Sequence, residues 1–190
     1  MIKISIPSNN IPERKYILDI FFNEFLGLSY RIVENTDIKN WEIELENGSK
    51  LIIEDHFFYK YPKDLEYLKL ENIPSKVEYI ENKFTPEDDI PIIYGNSKLK
   101  IQDKKVICGI DIFASSFFML TRWEEYVNKN RDSHNRFPAT QSLAFNNNFL
   151  DRPVVNEYIE MLKSMILYLD GTLKFKQQEP KTFVSCDVDT

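Results

Sequence analysis

Residues 41–54, Trp41-Glu42-Ile43-Glu44-Leu45-Glu46-Asn47-Gly48-Ser49-Lys50-Leu51-Ile52-Ile53-Glu54, decide the fold class. Apolar and charged residues alternate strictly from Trp41 to Leu45, the period-two signature of a strand with one dry face. Lys50 to Glu54 runs back from an intervening Asn47-Gly48. An Asn-Gly pair between two such runs predicts a hairpin with a type I′ turn, whose two central residues both need positive φ. Working outward, Met1 to Pro7 alternates as a short strand. Pro12 then opens a helix whose stripe of Tyr16, Ile17, Ile20, Phe21 and Phe25 ends near Gly27. Tyr30-Arg31-Ile32-Val33 follows as a further strand.

Residues 59–91 are rich in Lys, Glu, Asp and Pro, with weak periodicity and a short helix expected near Asp64 to Leu70. Ile92-Ile93-Tyr94-Gly95 reads as a buried strand. Lys98 to Ile101 and Lys105 to Cys108 read as a second hairpin turning at Asp103. Asp111 then caps a helix running through Phe113, Phe117, Trp123 and Tyr126, apolar on nearly every side until Arg122. After a polar loop, Asn128 to Arg136, comes a short helix over Gln141 to Ala144. Asp151-Arg152-Pro153 opens a last helix with Val154, Tyr158, Met161, Leu162, Met165 and Leu169 on its face and Gly171 past its end. Lys181 to Asp187 reads as a terminal strand. The expected fold is mixed α/β (α+β): a hairpin-rich mixed sheet packed by about three main helices.

A chain of 190 residues and 22.6 kDa buries enough surface for one substantial core. With 24 Lys+Arg against 30 Asp+Glu and no block of like charge, it lacks the clustered cations of a phosphate-backbone footprint, so no nucleic-acid partner is expected. The N-terminus is a strand and not a signal peptide, and no uncharged stretch is long enough to span a bilayer. Two distant cysteines, Cys108 and Cys186, outline neither a disulfide framework nor a zinc knuckle and fit a reducing compartment. A soluble, cytoplasmic protein with no membrane partner is expected.

Asp187-Val188-Asp189 ends the predicted terminal strand. Residues i and i+2 of a strand share a face, so the two carboxylates project together and repel unless a cation or shared proton relieves them. A metal site is one reading; ordinary turn chemistry is the other. Glu54-Asp55-His56 at a strand end could likewise gather a metal, or be solvated. His134 lies in a loop with Arg131 and Arg136, which either grip an anionic group or pair with local carboxylates. Arg122 either pairs with Glu125 at i+3 or joins Arg136 and Arg152 in holding a surface onto which another domain docks.

The stretches Gly109-Ile110-Asp111-Ile112-Phe113-Ala114-Ser115-Ser116-Phe117-Phe118, Thr121-Arg122-Trp123-Glu124-Glu125-Tyr126, Arg136-Phe137-Pro138 and Phe149-Leu150-Asp151-Arg152-Pro153-Val154 resemble the region that precedes the catalytic domain in a bacterial branch of the polysaccharide deacetylase (NodB-like) family. That catalytic domain opens with a strand ending in paired aspartates, here Asp187 and Asp189. The resemblance implies an N-terminal α/β accessory domain over residues 1–172, then a linker and the first strand of a deacetylase barrel over 173–190. It further implies hydrolysis of an N-acetyl group on a carbohydrate by the full-length parent. In that parent Asp187 would be the general base and Asp189 a ligand of a divalent metal, zinc or similar, with the barrel in cis as partner. The family's histidine pair one helical turn apart is not supplied by His56 and His134. The 190-residue chain is therefore expected to be inactive alone and to need no metal itself. Two other classes stand beside this: a stand-alone interaction domain, and a metal-dependent nuclease, since one helix, three antiparallel strands and another helix resemble the restriction-endonuclease core with Glu54-Asp55 at the strand end.

Overall fold

The computed structural model describes residues 1–177 and 182–186. Strand β1 (Ile2–Ile6) leads into helix α1 (Ile11–Leu18), which continues as a π-helical segment, Asp19–Phe25, and returns as β2 (Tyr30–Glu34), parallel to β1. β3 (Trp41–Glu44) and β4 (Lys50–Ile53) form the hairpin read from the sequence, with Glu42 opposite Ile52. A small second sheet pairs β5 (Glu78–Ile80) with β6 (Ile90–Ile92). β7 (Gly95–Gln102) and β8 (Lys105–Ile110) form the other predicted hairpin. Then come α2 (Ile112–Thr121), α3 (Trp123–Val127), α4 (Leu143–Asn146) and α5 (Val154–Leu169). The main sheet has the order β2-β1-β3-β4-β8-β7, and β8 lies parallel to β4. The architecture is the mixed α/β one expected, with no closed barrel among the described residues.

The alternation of the strands puts one apolar row across the sheet: Ile4 faces Ile43, Ile43 faces Leu51, and Leu51 faces Val106. All four are buried. Helices cover this face, and Phe113 of α2 marks the centre, touching the rings of Phe21, Phe22 and Trp41. Edge-to-face and tilted aromatic pairs of this kind add to the area-proportional gain from burial. Among the described residues, no helix is long and apolar enough to cross a membrane.

Five local expectations are corrected. Only Gly48 of the hairpin turn has positive φ; Leu45 accepts the Gly48 amide and donates to Ser49. That is a tight turn with one left-handed glycine and a bulge, not a type I′ turn. The first helix buries Arg14, Ile17, Leu18, Phe21 and Phe22; Tyr16 is exposed, and within the π-helical segment the buried pair is Phe21 and Phe22 while Ile20 and Phe25 are half-buried. Residues 64–67 form a turn through Leu65 at φ 59°, and only a 3₁₀ turn, Leu70–Asn72, follows. The helix expected from Asp111 to Tyr126 breaks at Arg122, whose φ of 51° is left-handed and ends α2 where its charged residues begin. Residues 182–186 of the predicted terminal strand carry no strand structure, and Lys181 and Asp187 lie outside the described residues.

Candidate functional site

β1 and β4 both run antiparallel to β3, so β1, β2, β4 and β8 point the same way and their C-terminal ends share one edge of the sheet. In open sheets with parallel strands this edge is where ligands gather. Here it carries Asn9, Asn10 and Arg14 after β1, Glu54-Asp55-His56 after β4 and Asp111 after β8. Asn96 and Lys98 of antiparallel β7 join them.

The inner part is sealed. Arg14 is 0% exposed and its Nη2 donates to Asp55 Oδ2 at 2.6 Å. Its Nε and Nη2 also donate to the carbonyl and side-chain oxygens of Asn9, at 2.8 and 2.9 Å. The guanidinium lies 4.5 Å from the Trp41 ring centre, a cation–π contact inside the core. Asp55 Oδ1 accepts the amides of Phe57 and Tyr59. Asp111, also 0% exposed, caps α2 by accepting from the Ala114 amide at 3.1 Å, as its position before an apolar run predicts. Its other oxygen accepts the amides of His56, at 2.9 Å, and Phe57, at 3.2 Å. Burial, reinforced by the Asp55 charge, pushes the Asp111 carboxyl up to about 8 against the pull of those amides. Asn9 and Asn10 donate to the carbonyls of Phe58 and Tyr61. Together these bonds tie residues 55–61 down onto α1 and α2.

The outer part is polar and partly exposed. Glu54 Oε1 pairs with the Lys98 ammonium, and Glu54 Oε2 lies 3.2 Å from His56 Nε2. Asn96 Nδ2 reaches the same His56 nitrogen at 3.1 Å, and its oxygen accepts the Lys98 amide. Gly109 makes room for this, since a Cβ there would stand 2.2 Å from Asn96 Oδ1. Burial raises the Glu54 carboxyl, but hydrogen bonds from Lys98 and His56 outweigh it and hold the group below the usual carboxylate range. The tripeptide Glu54-Asp55-His56 is thus split, with Asp55 turned in to Arg14 and its neighbours turned out. Among the described residues, no three His, Cys, Asp or Glu side chains converge as a metal site. Cys108 is buried, which pushes its thiol up to about 12 and leaves it a core residue.

The arginine-bearing segment forms a second feature. Arg122 pairs with Glu125 through Nε, at 2.6 Å, and Nη2. Arg131 donates to the backbone oxygens of Glu125, Asn128 and Asn130. Arg136 pairs with Asp132 at 3.1 Å, and Asp132 also accepts the amides of His134 and Arg136. Arg152 sits elsewhere, bridging Asp89 at 2.5 Å and both oxygens of Glu157 and so fastening the loop before β6 to the start of α5. A cleft of about 220 Å³ opens between the α2–α3 corner and residues 137–150, floored by Phe118, Met119 and Leu150 with Arg122 and Glu125 at its rim. Glu124 lines it as well, accepting the Leu143 amide at 2.7 Å, with burial raising its carboxyl. Asp187 and Asp189 lie outside the described residues.

Arg14, Asn96 and Lys98 do not stand out in the sequence, because Arg14-Lys15 on a helix reads as a solvent face. Asp111 is legible as a cap, and its lone charge within Val106 to Leu120 is the one signal of a buried polar cluster.

Fold and site together define a mixed α/β domain whose polar sheet edge is closed by its own residues. Residues 2–170 match the model of a family of unknown function, DUF7033, and the chain belongs to that family. No curated protein and no solved structure matches the chain.

Proposed function

We propose that this domain is a non-catalytic accessory module of a metal-dependent carbohydrate N-deacetylase of the polysaccharide deacetylase type. The observation that carries the reading is at the far end of the domain. Leu173 and Phe175 still pack against the core, yet Phe183 and Val184 stand 86% and 95% exposed directly ahead of Asp187-Val188-Asp189. Two adjacent apolar residues exposed to this extent support the reading, because a following unit would bury them. The resemblance of residues 109–158 to the region preceding a deacetylase barrel names that unit.

In this reading Asp187 takes a proton from the attacking water and Asp189 is one ligand of a divalent ion, zinc or similar. Such an ion lowers the pKa of bound water and polarises the acetyl carbonyl. Its remaining ligands would belong to the barrel. The carbohydrate substrate is the barrel's ligand. What this domain contributes is a rigid body, since the carboxylates at its sheet edge are held by Arg14, Lys98 and backbone amides.

The test is acetate release from N-acetylated oligosaccharides with added zinc or cobalt. A protein carrying this domain and a following barrel is expected to be active and to lose activity in Asp187→Asn, while the 190-residue chain is inactive. Activity of the 190-residue chain that Asp187→Asn abolishes would overturn the accessory reading. So would a reading frame beyond Thr190 with no His-x-x-x-His pair.

A further inference from the structure

The family match ends at residue 170, but the packed body does not. Asp170 accepts from the amide and hydroxyl of Thr172, which turns the chain back at the end of α5. Asn47 Nδ2 caps the Leu169 carbonyl at 2.9 Å, so the hairpin turn fixes where that reversal occurs. Leu173 and Phe175 then pack against the core, and Lys163 lies over the Phe175 ring. At the far side, the Lys176 amide donates to the Leu26 carbonyl at 2.9 Å, and its ammonium reaches the Glu24 carbonyl at 3.2 Å.

These two carbonyls lie at the C-terminal end of the first helix, where acceptors lack intrahelical partners and a cation meets the negative end of the helix dipole. Lys176 answers both needs from far along the chain, 152 positions after Glu24. The seat is Gly27, whose φ of 64° is left-handed and where a Cβ would come within 2.6 Å of Lys176 Cβ. Any other residue there would meet both backbone strain and a steric clash.

We propose that residues 171–177 form a clasp: Gly27 is its seat, and Lys176 is the long-range C-terminal cap that fastens the segment after α5 to the end of the first helix. The packed body then extends at least to Lys176 and does not stop at the end of α5. The inference rests on contacts within the domain and stands apart from the deacetylase reading.

Hydrogen exchange of the Lys176 amide, read in the 190-residue chain, tests it. Gly27→Ala is expected to speed that exchange at least about tenfold and to expose Lys174 and Lys176 to trypsin. Asn135→Ala is the control: its φ of 59° is also left-handed, but it lies exposed in a loop outside the clasp, so it brings backbone strain without a clash. It is expected to leave Lys176 exchange unchanged. Phe175→Ser, which leaves the helix untouched, is expected to act like Gly27→Ala and keeps the test decisive should Gly27→Ala fail to fold. Exchange of Lys176 at the free-peptide rate in the unaltered chain, or equal effects of Gly27→Ala and Asn135→Ala, would overturn the clasp.

Discussion

Replacing Arg14 by Met tests the claim that the sheet edge is a structural lock. Both side chains of the Arg14–Asp55 pair are 0% exposed, and the pair is 2.6 Å long. Methionine fills much of the same volume but leaves the Asp55 charge buried and facing Trp41 and Phe58. Breaking one side of a buried pair costs about 3–5 kcal/mol, mostly the penalty on the charge left behind. Loss of the two bonds to Asn9 and of the Trp41 contact adds to this, and domains of this kind hold about 5–15 kcal/mol in total. The assay is urea unfolding followed by tryptophan fluorescence. With a slope of about 2 kcal/mol per M, the midpoint should fall by about 2 M with the slope unchanged. The double variant Arg14→Met/Asp55→Asn separates charge from packing. The asparagine introduced there keeps an oxygen for the Phe57 and Tyr59 amides but carries no charge, so the double variant should be more stable than Arg14→Met alone, with a coupling of about 2 kcal/mol. A loss below about 1 kcal/mol in Arg14→Met, or a double variant as unstable as the sum of the single ones, would refute the reasoning.

Asp111 should give the domain an inverted pH dependence. Its carboxyl is raised in the folded state to about 8, so between its ordinary value and that point the folded chain holds a proton the unfolded chain has released. Stability from this group is then greatest in acid and falls as pH rises towards 8, by at most about 1.4 kcal/mol per pH unit. Urea midpoints taken between about pH 5 and 8 should fall less steeply in Asp111→Asn; an unchanged slope would contradict the assignment. At Arg122 the left-handed backbone costs about 1 kcal/mol, comparable with the surface pair to Glu125. Arg122→Gly is therefore expected to melt at or above the unaltered chain and Arg122→Val several degrees below it, as measured by calorimetry.

What can be read from the sequence follows the range of the forces involved. Both hairpins, the Asp111 cap and the face of α5 are legible because period-two and period-3.6 patterns are local consequences of side-chain direction. The parallel pairing of β1 with β2 and of β4 with β8 is not, since no turn signal joins strands that meet through a crossover. Arg122 breaks the expected long helix because the apolar run says where a helix is buried and not where it bends. The Arg14–Asp55–Asp111 cluster assembles through bonds that span 41 positions, from Arg14 to Asp55, and 55 positions, from His56 to Asp111, and only the fold brings them together.

The tripeptide Glu54-Asp55-His56 shows how far a contiguous polar motif can be trusted. Adjacent residues at a strand end point to opposite sides, and here they do: Asp55 enters the core, while Glu54 and His56, two positions apart, come within 3.2 Å of each other outside it. Spacing, and not proximity in sequence, decides which groups can act together. Asp187 and Asp189 have the same i, i+2 spacing in sequence as Glu54 and His56 and lie outside the described residues. Glu54 has Lys98 to offset its charge, whereas a pair of carboxylates on one strand face needs a cation from elsewhere.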